Sequence, residues 1–153
     1  MKRELPKRGY PAKGVLINSE GSTLVVATVC TRHRVPWLAN DLCHQTLEAV
    51  WRDARAWLVG KYVIMPDHLH FFAAPGDQVV LFERWVGYWK SLATKALKEK
   101  ARGWQTRCWH HRLRSSESYG EKWDYIRFNP VRKGLVKVPE EWPYQGELNV
   151  LRW

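Results

Sequence analysis

Apolar and polar positions follow two different periods along this chain, and each change of period marks an element. Thr23 to Thr31 (TLVVATVCT) is dense in β-branched residues and predicts a strand. Asn40 or Asp41 can cap a following helix, in which Leu42, Thr46, Leu47, Val50, Trp51, Ala54 and Leu58 recur at helical spacing. A second strand is expected over about Leu58 to Met65 and a third over His68 to Ala74, with Pro66-Asp67 as the turn. Strands joined so tightly form an antiparallel hairpin. Pro75-Gly76-Asp77 breaks the pattern, and Leu81, Trp85, Tyr88, Trp89, Leu92 and Ala96 then trace an amphipathic helix with Lys90, Lys95 and Lys98 on its polar side. A fourth strand is expected within Trp104 to Leu113. Ser118 with Glu121 fits a capping box for a third helix, about Tyr119 to Phe128, which Pro130 limits by disfavouring helical geometry at Asn129.

The order is β-α-β-β-α-β followed by an extra helix, an α+β chain of ferredoxin-like arrangement with an antiparallel sheet. Residues 1–22 carry Lys2, Arg3, Lys7, Arg8 and Lys13 among prolines and glycines, without a sustained period. They read as a basic N-terminal arm able to track a nucleic-acid backbone, or equally as a solvated tail. Residues 23–138 form the expected domain, and residues 139–153, with Pro139, Pro143 and Gly146, an irregular C-terminal tail.

Composition narrows the class. A chain of 153 residues, 45% hydrophobic and 26% charged, suits one globular domain rather than a disordered segment. No apolar run approaches a membrane span, and the basic N-terminus lacks the apolar stretch of a signal peptide. Cys30, Cys43 and Cys108 are odd in number and scattered, which argues against disulfides and zinc ribbons and for a reducing cytoplasm with small buried thiols. Lys and Arg exceed Asp and Glu by 25 to 15, a net charge of +10 that favours a polyanionic partner. Ten tryptophans are enough to fill a core and still leave some for stacking on bases.

Chemistry concentrates in two motifs. In Met65-Pro66-Asp67-His68-Leu69-His70, His68 and His70 stand two apart on a strand and share a face, Phe72 continues that face, and Leu69 points to the other. Paired imidazoles begin a metal site but do not complete one. An H-x-H pair alone is more often two ordinary histidines on an exposed sheet face. The second motif is Tyr125-Ile126-Arg127-Phe128-Asn129-Pro130-Val131-Arg132. Tyr125 and Asn129 lie four apart, on one helix face. Asn129 is either an amide ligand for a hard cation or simply a helix C-terminal residue, and Tyr125 taken singly is as well explained as a core tyrosine.

The runs VIMPDHLH at 63–70, WQTRCWHHRLR at 104–114 and YIRFNPVRKGLV at 125–136, followed by Pro139 and Glu141-Trp142-Pro143, change that balance. Together, from about Arg3 to Trp142, they make the chain similar to the single-tyrosine HUH transposases, specifically the REP-associated tyrosine transposases of the IS200/IS605-like group. The resemblance implies that His68 and His70 are metal ligands, that Asn129 is the third, and that Tyr125, on a catalytic extra helix, is the nucleophile. His110 departs from the pattern, standing where relatives often carry an acidic residue. The implied activity is that of a metal-dependent single-stranded DNA endonuclease and strand transferase with a 5′-phosphotyrosine intermediate, acting near hairpins. Mg²⁺ or Mn²⁺ is the implied cofactor, single-stranded or hairpin DNA the partner, and a bacterial, nucleoid-associated cytoplasmic protein, monomer or homodimer, the setting. Lys90, Arg127, Arg132 and Lys133 are candidate phosphate contacts, each also readable as a solvated charge.

A free tyrosine loses its proton only near pH 10 or so, so the proposed nucleophile needs help from a Lewis acid or neighbouring charge. Two other classes compete. A non-catalytic single-strand-binding module would suit the sheet, the basic charge and the aromatics, although glycine-aromatic RNP runs are absent. A replication initiator or relaxase would share the chemistry in a longer chain. Deaminase chemistry lacks its H-x-E and C-x-x-C patterns here.

Overall fold

The computed structural model describes residues 23–114 and 116–152; the expected basic arm, residues 1–22, lies outside the described residues. Strand β1 (Val25–Cys30) leads to helix α1 (Asp41–Asp53), the hairpin β2 (Trp57–Ile64) and β3 (His68–Pro75), helix α2 (Phe82–Leu97) and strand β4 (Trp109–Arg112). Helices α3 (Ser116–Arg127) and α4 (Asn129–Arg132) and strand β5 (Gln145–Glu147) complete the chain. All neighbouring strands are antiparallel in the order β4-β1-β3-β2-β5. The first four make the expected ferredoxin-like sheet. Among the described residues no helix is long and apolar enough to cross a membrane.

Alternation along β3 sorts its side chains to two faces. Leu69, Phe71 and Ala73 join the buried cluster formed with Leu47 and Trp51 of α1 and Phe82, Trp85 and Trp89 of α2. The aromatic rings meet edge-on there, with Trp51 and Trp89 centroids 5.6 Å apart and Phe71 and Trp85 5.9 Å apart. Buried indoles here find carbonyl partners, Trp85 donating to Ala54 O at 2.7 Å and Trp57 to Val80 O at 2.8 Å. On the opposite face Val26, Val63, Met65, Phe72 and Leu113 pack beneath Ile126 of α3. Trp37, Trp51, Trp57, Trp85, Trp89, Trp104 and Trp142 are all buried, so the tryptophan load is mainly core.

Several element limits depart from the periodic reading. Asn40 does cap α1, accepting from Cys43 N at 2.9 Å, but the helix ends at Asp53, Leu42 is exposed and Leu58 belongs to β2. The buried stripe of α2 is Phe82, Trp85, Val86, Trp89, Ala93 and Leu97, not the set containing Leu81, Tyr88 and Ala96. Turning the helix this way buries Phe, Val and Ala and leaves the Tyr88 hydroxyl in water, avoiding its desolvation. Helix α3 begins at Ser116, so Ser118 is no cap. Of the three thiols only Cys43 is buried; Cys30 and Cys108 are partly exposed, and all are free.

The C-terminal segment is not an irregular tail. Trp142 is buried and donates to Ile64 O at 2.9 Å, β5 pairs with Lys61, Tyr62 and Val63, and Leu151 packs over Gly60, where an added Cβ would come within 2.6 Å of it. A three-residue strand with Gly at its centre carries too weak a period to be read from sequence.

Candidate active site

Register places the histidines. Cys30 lies opposite His68 and Thr28 opposite His70 across β1 and β3, and Val63 lies opposite His70 on β2. The two imidazoles stand 4.9 Å apart, centroid to centroid, with planes at 82°. Each has its Nδ1 engaged. His68 Nδ1 donates to Asp67 Oδ1 at 2.7 Å, and His70 Nδ1 lies 2.9 Å from Thr28 Oγ1. With the proton on Nδ1 in both rings, Nε2 keeps its lone pair in both. A partner that fixes tautomer and orientation in this way is what a metal-binding histidine needs.

Asp67 is itself held by Arg34, whose Nε donates to Oδ2 at 3.0 Å. Arg34 Nη2 also approaches His68 Nδ1 to 3.3 Å, but that nitrogen cannot accept while it carries the proton given to Asp67. Burial would raise the Asp67 carboxyl; the bonds from His68 and Arg34 outweigh it and hold the group below its usual range. Arg34 reaches this position from a backbone at φ 55°, as does His33, a left-handed conformation costing each about 1–2 kcal/mol.

Helix α3 and the single turn α4 supply the other side. Phe128 (φ −86°, ψ −1°) separates α3 from α4, and Pro130 falls in the first turn of α4, where its missing N–H costs nothing. Asn129 therefore opens a helical turn instead of ending a helix. Its amide nitrogen lies 3.0 Å from His70 Nε2, and its oxygen accepts from Arg132 Nη2 at 3.1 Å. The same Arg132 nitrogen donates to Tyr125 O at 2.6 Å, and the guanidinium carbon sits 3.9 Å from the centre of the Tyr125 ring. A continuous set of contacts thus runs from His70 through Asn129 and Arg132 to Tyr125. The tyrosine is 67% exposed, which removes the core-tyrosine reading.

Electrostatics favour neutral imidazoles among cations. Burial pushes His70 down to about 3, with the positive charges of Arg132 and Arg34 and the neighbouring His68 adding to the shift. Burial likewise lowers His68, opposed by Asp67 and assisted by Arg34 and Lys133. Both rings are unprotonated near neutrality and can donate lone pairs, inside a positive rim suited to a phosphate.

Of the four basic residues singled out from sequence, Arg132 and Lys133 lie at this site. Arg127 is engaged with Asp124 at 3.3 Å and Glu140 at 3.4 Å, its guanidinium 4.8 Å from the Phe128 ring centre. Lys90 is on α2, which packs against the other sheet face, and it donates to Gln105 O at 2.9 Å. The structure does not bring it to the histidines. His110 also belongs to the other face: its ring packs 4.8 Å from Phe82 and its Nε2 lies 3.6 Å from Glu83. A cavity of about 450 Å³ lined by Asp53, Arg55, Asp77, Arg84 and Tyr88 lies at the α1–α2 side, with Asp77 taken by Arg55 at 3.0 Å. Sequence reasoning missed Thr28 and Arg34. A lone threonine amid the apolar residues of β1 was a usable signal for the first; nothing local marks Arg34.

The donor set fits a divalent cation. The Asn129 carboxamide stands at His70 Nε2, the His68 ring lies 4.9 Å from that of His70, and the carboxamide can present its oxygen after a half-turn. Among the described residues no three His, Cys, Asp or Glu side chains gather for a metal, and the Asn129 carboxamide is the neutral donor that stands beside His70.

A sheet of this order, with a histidine pair on a central strand and an exposed tyrosine on a helix laid across it, makes an α+β domain similar to that of solved tyrosine transposases. The REP-associated tyrosine transposases are its relatives in sequence as well as in fold. The chain is 33% identical over 96 residues to the REP-associated tyrosine transposase of Escherichia coli, covering 62% of this chain and 56% of that protein. It is 30% identical over 96 residues to a Haemophilus influenzae protein provisionally given the same name, covering 54% of each. The chain therefore spans just over half the length of these curated relatives. A REP-associated tyrosine transposase solved bound to a REP hairpin superposes with a TM-score of 0.66 at 28% identity, over 82% of this chain and 76% of that one. A provisionally named transposase of Deinococcus radiodurans shares the fold at 17% identity and a TM-score of 0.51, over 82% of this chain and 95% of that one. No protein-family model matches the chain.

Proposed function

We propose that this chain is a transposase-like endonuclease and strand transferase acting on single-stranded DNA, with Tyr125 as nucleophile. The observation that carries this reading is the 3.0 Å approach of Asn129 to His70, which ties the helical segment bearing Tyr125 to the histidine pair within one chain. The Tyr125 oxygen attacks phosphorus, the 3′ oxygen of the neighbouring nucleotide leaves, and the 5′ phosphate stays on the tyrosine. Attack by a 3′ hydroxyl reverses the exchange, so a strand is rejoined without an external energy source. Arg132, lying on the Tyr125 ring, supplies positive charge where the nucleophile and the phosphate oxygens develop negative charge. Lys133 adds to that potential. Asp67, Arg34 and Thr28 hold the imidazoles in orientation. A divalent cation, Mg²⁺ or Mn²⁺, held by His68, His70 and Asn129, would polarise the scissile phosphate as a Lewis acid.

The relative solved bound to a REP hairpin supports hairpin-bearing DNA as the partner. Incubating the protein with end-labelled hairpin DNAs carrying single-stranded extensions and Mn²⁺ should yield a covalent protein–DNA species on a denaturing gel. Tyr125→Phe should reduce that species to background while leaving affinity within about two-fold, because the side chain is exposed and the ring is retained. Adduct formation by Tyr125→Phe at the wild-type level would remove Tyr125 as nucleophile. Tight binding by the wild type with no cleavage of any single strand would make the chain a binding module instead.

A further inference from the structure

Among the described tryptophans one is exposed. Trp109, on edge strand β4, is 56% exposed. Its register partner is Thr28, whose partner on the next strand is His70. Trp109, Thr28 and His70 therefore form one row across the same sheet face, and two strand spacings put Trp109 about 10 Å from His70. His111, two residues on and so on that face as well, packs edge-on against the indole at 4.9 Å and 80°, which keeps the ring upright. Burial lowers the His111 pKa, and the charges of nearby Lys122 and Arg114 lower it further. Lys122 lies three residues before Tyr125 on α3, so the indole, the cations and the helix bearing the proposed nucleophile border one strip of surface.

An exposed indole on a strand that is an edge of the sheet among the described residues is unusual, since edges are ordinarily blunted by charge. Here its neighbour His111 lies near Lys122 and Arg114, and its row of the sheet leads to the histidine pair. An aromatic face flanked by Lys and Arg is the arrangement that holds single-stranded nucleic acid, the base stacking while the cations take the backbone. We propose that Trp109 is the stacking platform for an unpaired base of the DNA strand that runs to the His68–His70 site. This rests on the single-strand reading above and adds to it the path of the strand.

The test is fluorescence anisotropy with two labelled probes, an oligothymidylate and a blunt-ended DNA hairpin without extensions. Trp109→Ala should bind the oligothymidylate about 5- to 100-fold more weakly and the blunt hairpin about as well as wild type, with an unchanged melting temperature. Trp109→Phe should recover most of the affinity. Unchanged oligothymidylate binding by Trp109→Ala overturns the proposal. So does equal weakening toward both probes with a lowered melting temperature, which would make Trp109 structural. So does a wild-type dimer in sedimentation that Trp109→Ala dissociates, which would place a second copy of the chain on this edge. Adduct formation by the wild type is scored separately: its absence alongside Trp109-dependent binding sinks the cleavage reading and leaves the platform standing.

Discussion

The two faces of the sheet use the same strands for opposite purposes. Beneath α1 and α2, Leu69, Phe71 and Ala73 meet a dense set of aromatic rings. One residue out of step on β3, His68 and His70 face α3 and α4 and are held by Asp67, Thr28 and Asn129. On the first face burial of apolar area dominates, with the Trp57 and Trp85 indoles satisfied by carbonyls. On the second, buried polar groups lower stability unless each finds a partner, and the partners are what orient the site. The lesson is that alternation with a period of two lets one strand anchor the core and display chemistry, provided the register is held. Trp142 and β5, docked on β2, help to hold it.

Substitutions on the two faces should separate accordingly. Phe71→Ala should have the largest effect on stability, about 3–5 kcal/mol in chemical denaturation, because it empties a site ringed by Trp51, Trp85 and Trp89. If the loss is under about 1 kcal/mol, the α1–α2 face is not the principal core. His70→Ala should leave a folded protein that forms no adduct with Mn²⁺. Full activity in that variant would dissociate the histidine pair from catalysis. Thr28→Val keeps shape but removes the partner of His70 Nδ1, and should weaken Mn²⁺ binding about 10- to 100-fold in calorimetry.

The faces also differ in pH response. His70 folds at about 3 against an unfolded value near 6.5 or so, so the unfolded chain takes up its proton first. Its contribution is complete above pH 6.5 or thereabouts and is lost as pH falls toward 3. Denaturation in EDTA should show this decline, and His70→Asn should flatten it; an unchanged slope would show that His70 is not buried neutral. The smallest effect is expected at Tyr88, exposed on α2, where Tyr88→Ala should shift stability by no more than about 0.5 kcal/mol. A larger loss would restore the stripe that periodicity suggests.

Much of this was legible in the linear pattern because it rests on local rules. β-Branched residues located β1, the Pro66-Asp67 turn located the β2–β3 hairpin, period-3.6 spacing located α1 and α2, and H-x-H fixed two imidazoles to one face. The family motifs added Tyr125 and Asn129 as candidates. The rotation of α2 about its axis was not legible, since Tyr88 and Val86 are both apolar enough to face inward and only packing against α1 chose between them. Nor was β5, whose three residues carry no period of their own.

The amino-acid order alone determined the sequence of elements, the basic charge and the face shared by His68 and His70, all consequences of backbone periodicity and side-chain chemistry within a few residues. Only the tertiary structure decided that Asn129 meets His70, that Thr28 and Arg34 stand behind the imidazoles, and that Lys90 lies on the other face. Those contacts join residues separated by tens of positions, and strand register and helix docking, set by the whole core at once, bring them within reach.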